Sequence, residues 1–403
     1  MNSFFVPGDK LLQTYFTADE IDEYKSLLKA DIRQPVPDKL NKEQLQVNFL
    51  PSYNYSEIIQ KLITFASGKL KRDKLLLLLQ HIGELSVIKG ELKTASEVYE
   101  YLLSISGKEN NLANITAYAE ISLGEIYSRQ ADWKKSLAHI NRAKLLFSEQ
   151  NDLDGLSRCE NLLGTIYGDK GKLGKSNLHL QKSLSYLNPD IDLSLIGMIE
   201  INLGVISNIQ GEYDLAFSYF QSALMKFEKV KDIRRVSEVR HNLGLYYTQM
   251  NNYISAIEEF NRSIEYALQV EYLPTLTLAY LGKAYIYAIN NDFPLAQAFT
   301  EKSFELAFRL NDKLTIAEVY KIKGIIEREK GNKTASENYL LTSIRINREN
   351  NNPLNEAESS CELGILYLRN GIKTEADKYF NNAIKIYRTL NAKAEIDRIK
   401  KFT

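Results

Sequence analysis

Two cysteines, one tryptophan and four methionines are all that 403 residues hold of those types. Cys159 and Cys361 are too few for a disulfide scaffold and lack partners at metal-ligand spacing, so both read as small buried apolar residues. Twenty glycines and eight prolines are few for a loop-rich sandwich or barrel. Neither sign of charge dominates, with Lys and Arg at 51 against Asp and Glu at 51, so no global field draws in a polyanion such as nucleic acid. No apolar run reaches the roughly 18 residues of a membrane span, and Met1 to Gln13 lacks the basic start and apolar stretch of a signal peptide. A soluble cytoplasmic chain without membrane insertion is the expectation. Four histidines are the whole supply, and no P-loop, nucleophile elbow, His-Glu-x-x-His or Cys-x-x-Cys occurs. We therefore expect no enzyme, no cofactor and no metal.

What is present is Leu, Ile, Lys, Glu and Asn in abundance, with 44% of residues hydrophobic, a composition for helices around a continuous core. The chain is organised by repetition. Gly83, Gly124, Gly164, Gly204, Gly244, Gly324 and Gly364 recur about every 40 residues, and Ala284 fills the remaining place. Seven residues behind runs a second series, Gly90, Ala131, Gly171, Gly211, Asn251, Asn291, Gly331 and Gly371. Twelve residues after each member of the first series stands a small residue, from Ala95 and Ser136 to Ser336 and Ala376, and a second small slot follows seven residues later, from Ala143 to Ala383.

Small residues inside helices are costly for propensity, so their recurrence marks points where a neighbouring helix backbone comes close. The second series suits a left-handed residue just past a helix end and marks a turn. Asp152, Asp192, Asp232, Asp312 and Asn352 stand where the next helix begins and predict N-caps. Each unit is thus a pair of packed antiparallel helices. Trp133 falls two residues after a turn and reads as structural. The expected division is a helical cap and arm over 1–75, eight units (76–116, 117–156, 157–196, 197–236, 237–276, 277–316, 317–356 and 357–396), and a capping helix over 392–403. In the first segment Thr17 and Glu20 make a capping box and Tyr55 to Ser67 reads as a helix.

The in-phase residues Leu123-Gly124 with Tyr127, Leu163-Gly164 with Tyr167, Leu243-Gly244 with Tyr247, and Ala216 with Phe220 give the chain a resemblance to tetratricopeptide repeat proteins. The period is 40 rather than 34. Glu120, Glu160, Glu200, Arg240 or Tyr280 stands where the family has tryptophan, and the closing proline is absent. This long form resembles kinesin light chain, the Pins group and, most of all, bacterial sensory and peptide-responsive arrays. The resemblance implies an all-α, right-handed solenoid whose first helices line a concave groove for a peptide or protein segment.

On that face lie Arg158, Asn161 and Asp169, then Asn202 and Asn208, then His241, Asn242 and Gln249, and toward the end Tyr285, Lys321, Arg328 and Arg369. Asn202 and Asn242 match the amides that long-repeat relatives use against ligand backbone; the alternative is that they cross-link neighbouring helices. Lys321, Arg328 and Arg369 are the expected receivers of ligand carboxylates, while the carboxylate clamp of co-chaperone relatives is missing. His139 and His179 share a slot in consecutive units and are expected to face each other. Two further readings stay open: a regulatory or assembly scaffold for a folded effector, and an arm from Pro35 to Tyr55 folded over the groove.

Overall fold

The computed structural model describes residues 9–31, 55–106 and 113–402, and every regular element among them is a helix. Of the arm from Pro35 to Tyr55, only Tyr55 is among the described residues. The chain forms two compact units, residues 1–87 with 91–119, and residues 88–90 with 120–403.

The first unit holds α1 (Asp9–Tyr15), α2 (Ala18–Asp31), α3 (Tyr55–Lys69), α4 (Arg72–Ile88) and α5 (Leu92–Ser106). The capping box starts α2: the Thr17 N–H donates to Glu20 Oε2 at 2.9 Å and the Glu20 N–H to Thr17 Oγ1 at 3.4 Å. The buried Tyr24 hydroxyl reaches from α2 to the Ile58 carbonyl of α3 at 3.1 Å. Helices α4 and α5, which the register assigns to the first repeat, fall in the same compact unit as α1–α3.

In the second unit, continuing from α6 (Ala113–Arg129), first and second helices alternate. First helices are α8 (Leu153–Asp169), α10 (Leu193–Gln210), α12 (Ile233–Gln249), α14 (Leu273–Ile289), α16 (Lys313–Glu329) and α18 (Pro353–Arg369). Second helices are α7 (Trp133–Glu149), α9 (Leu173–Leu184), α11 (Tyr213–Val230), α13 (Tyr253–Gln269), α15 (Phe293–Arg309), α17 (Lys333–Glu349) and α19 (Lys373–Thr389). The short α20 (Lys393–Lys400) closes the array, with Ile399 fully buried and the Phe402 ring stacked on Phe380 at 6.0 Å.

Each signal in the repeat has a physical counterpart. Every member of the second series has positive φ, from +82° at Gly211 to +55° at Asn251. The junctions between units use the same device through Asn151, Lys231, Glu271, Asn311, Asn351 and Asn391. Asp152, Asp232, Asp312 and Asn352 accept the N–H three residues on, at 2.8 to 3.2 Å. Asp192 departs from the expectation: α9 ends early, and the Asp192 carboxylate instead accepts the Asn188 N–H of the longer junction at 2.7 Å.

The first glycines are close-approach points. A Cβ on Gly364 would stand 2.6 Å from the Phe380 ring, and one on Gly124 2.7 Å from Ile140. In the one unit with Ala284 in place of glycine, the residue sixteen positions on is Thr300, smaller than the aromatic or branched residue found there in the other units. The serines of the first small slot tie the helices further, as Ser136 and Ser176 donate to the Gly124 and Gly164 carbonyls at 2.6 Å.

The expectation that His139 and His179 face each other is corrected. His139 Nδ1 pairs with Glu120 and His179 Nδ1 with Glu160, each at 2.6 Å, and the rings stack on Tyr127 and Tyr167. The glutamate in the family's tryptophan slot thus makes a polar crossing between the two helices of one unit. The polarity inverts in another unit, where Arg240 in the same slot meets Glu259 at 3.1 Å. Burial pulls the Glu160 pKa upward, but Lys144, His179 and Lys182 outweigh it and hold the carboxylate at about 2.

The array coils until successive turns touch. Trp133 Nε1 donates to the Asn350 carbonyl at 2.8 Å, 217 residues along the chain, and a Cβ on Gly171 would stand 2.6 Å from Pro353. Turns within one set of units therefore pack on junctions about five repeats later. By length and composition α10 could cross a membrane, yet half of it is buried and its Glu200 carboxylate is paired with Lys226 at 2.8 Å.

Candidate functional site

The first helices α8, α10 and α12 carry the amide-rich face. Asn202 Nδ2 on α10 donates to Asn161 Oδ1 at 2.9 Å and to Thr165 Oγ1 at 3.1 Å, both on α8. Asn242 Nδ2 donates to the Glu238 carbonyl one turn back at 3.0 Å. Both carboxamide nitrogens are thus engaged within the fold. Arg158 donates to Asp154 at 2.8 Å, and Gln249 is exposed at the end of α12.

Two acceptors on this face have no partner. Asn208 Oδ1 on α10 and His241 Nδ1 on α12 are buried without a hydrogen bond. His241 is 8% exposed, stands 5.7 Å from the Phe260 ring, and burial lowers its pKa to about 4, so the imidazole is neutral. Asp169, at the end of α8, has its pKa raised to about 7 by burial and by Asp312.

Toward the C-terminal end the expected cationic receivers are already neutralised. Lys321 is held by Glu318 at 2.6 Å and by Glu358. Arg328 pairs with Glu329 at 3.0 Å and with Glu362, and Arg369 reaches Glu329 at 2.7 Å. A ligand carboxylate would have to displace an internal one at each. Burial pushes the Tyr285 hydroxyl above the usual tyrosine range, with Glu362 adding to it.

Sequence reasoning missed a cluster that joins distant first helices. Arg129 on α6 donates to Glu125 at 2.7 Å and to the Tyr272 hydroxyl at 3.0 Å, Arg234 lies over the Tyr272 ring at 5.3 Å, and Arg235 pairs with Glu238 at 2.6 Å. Burial raises the Glu125 pKa, but Arg129 and Arg235 outweigh it and bring it to about 2. Glu125 and Arg129 stand one and five residues after Gly124, the same offsets read as groove positions in later units, so extending that face into the preceding unit would have found them.

Residues 195–269 match the tetratricopeptide repeat family model. No curated protein sequence is similar to the chain. Among solved structures, the Rap conjugation gene regulator of plasmid pLS20 in complex with a Phr peptide is 16% identical, with 86% of this chain and 97% of that one covered at a TM-score of 0.58. Aspartyl phosphate phosphatase F from Bacillus subtilis is 13% identical, with 97% of each chain covered at 0.50. A signal transduction ATPase from Pyrococcus horikoshii with a tetratricopeptide repeat sensor is 16% identical over 99% of this chain, which spans 56% of its length, at 0.47. At these identities the likeness is one of fold.

Proposed function

We propose, from the premise that the chain is a tetratricopeptide repeat protein of the long 40-residue form, that it binds an extended peptide or protein segment along its first helices and carries out no chemistry of its own. The observation that carries this reading is the pair of unpartnered buried acceptors, Asn208 Oδ1 and His241 Nδ1, on adjacent first helices. An unmet buried polar atom costs about 1–3 kcal/mol, so two of them on neighbouring first helices fit a surface completed by donors from a partner. Main-chain N–H groups of an extended segment supply such donors. The relative solved with a Phr peptide supports a peptide as the class of partner.

The test starts from a hexapeptide library displayed against the full chain, followed by calorimetry on the selected ligand. Asn208→Ala should weaken that ligand at least tenfold while leaving the unfolding midpoint unchanged or higher, because no internal bond is lost. Undiminished affinity in Asn208→Ala and in His241→Leu would remove the basis of this reading. Asn202→Ala is the contrast: it breaks two internal bonds, and its first effect should be on stability.

A further inference from the structure

In a chain without net charge, residues 170–189 hold four lysines and no acidic residue. Lys182 is used inside the fold, paired with Glu160 at 2.9 Å. Lys170, Lys172 and Lys175 instead line a cavity of about 540 Å³, together with Gly171, Leu173, Gly174, Pro353 and Thr389. No carboxylate is in that lining. Lys170 lies 5.6 Å from the Trp133 ring and Lys175 5.6 Å from the Tyr167 ring, contacts that orient an ammonium without neutralising it. The acids nearby are occupied. Glu356, on the same helix as Pro353, pairs with Arg348 at 2.8 Å, and Asp169, next to Lys170, has its pKa raised to about 7 by burial and Asp312, which reduces its charge below neutral pH. Burial and Lys172 together lower the Lys170 pKa, as expected where positive charge is left uncompensated.

We infer that this cavity is a binding site for a small soluble polyanion carrying two or more phosphoryl groups, held by Lys170, Lys172 and Lys175. An ammonium is a compact charge with three donors, suited to phosphoryl oxygens arriving from several directions. Three of them around a space larger than one phosphate match a linked pair or triplet of phosphoryl groups better than a single ion. The walls come from the α8–α9 turn and from the start of α18 and end of α19, so the bound anion joins two successive turns of the coil. The test of this site does not depend on the peptide-binding reading.

Sodium tripolyphosphate is titrated into the full chain by calorimetry at constant ionic strength. The parent should bind, and the triple variant Lys170→Gln, Lys172→Gln, Lys175→Gln should bind at least tenfold more weakly with unchanged circular dichroism. The triple Lys→Arg variant and Lys134→Gln, an exposed lysine on α7, should bind as the parent does. If the triple variant does not fold, Lys172→Gln alone takes its place, with an expected loss of threefold or more. No binding by the parent, equal binding by the glutamine variant, or an equal loss in Lys134→Gln would overturn the site. Citrate binding as tightly as tripolyphosphate would overturn the phosphoryl assignment.

Discussion

His241 and Asp169 titrate in the same window with opposite effects on stability. Burial holds His241 at a pKa of about 4 in the folded chain, whereas the unfolded chain takes up that proton below about 6.5. The unfolded state therefore gains protons first on acidification, and stability falls from pH 6.5 to 4, by up to roughly 3 kcal/mol. Asp169 works the other way. Its folded pKa of about 7 exceeds its unfolded value, so the stability it lends is complete below about pH 4 and lost as pH rises to 7. Because the two largely offset each other in the parent, urea unfolding across pH 4.5–7.5 should separate them only in the variants: stability should fall with rising pH in His241→Leu, where Asp169 acts alone, and rise with pH in Asp169→Asn, where His241 acts alone. Unchanged profiles in both variants would contradict these environments. The sequence placed both residues on one face and said nothing of their surroundings. His241 is buried through its contact with Phe260 on a second helix, and Asp169 meets Asp312 from three units away, and neither relation has a signature in spacing.

At the scale of a helix pair, the glycine of the first helix and the large residue sixteen positions later form one packing unit. Gly364→Ala puts a methyl group against the Phe380 ring and should cost about 1–3 kcal/mol. Phe380→Thr should be destabilising alone, since it empties a fully buried site. Combined, the two copy the Ala284 and Thr300 arrangement, so the double variant should lose less than the sum of the singles in denaturant unfolding. Strict additivity would mean that the two positions are not coupled. Much at this scale was legible, because crossing points, turns and N-caps each demand a particular kind of residue at a fixed offset. Less legible were the left-handed junctions at Lys231 and Glu271, whose side chains do not favour that conformation, at roughly 1 kcal/mol each. The polar crossings through Glu120 and Glu160 were hidden too, since a charged residue in an apolar family slot does not announce its partner.

In the second unit as a whole, the coil is closed by contacts between residues far apart in sequence. Trp133→Phe keeps an aromatic side chain but loses the indole N–H that bonds the Asn350 carbonyl together with part of the buried ring, so we expect a stability loss of about 1 kcal/mol or more and faster hydrogen exchange at the α17–α18 junction. Exchange unchanged at that junction would show that the bond does not hold the turns together. The same coiling brings Arg129 to Tyr272 and places Lys170 opposite Pro353. The sequence alone determined the repeat, its helix pairs and which residues share a face of the first helices, because these follow from local spacing and from the size and φ preference of single residues. Only the tertiary structure decided which polar groups on that face are satisfied, that Lys321, Arg328 and Arg369 are matched by internal carboxylates, and that three lysines are left without one. The physical reason is that a period fixes contacts between neighbours, whereas the small rotation from each unit to the next, summed over about five of them, fixes which distant surfaces meet.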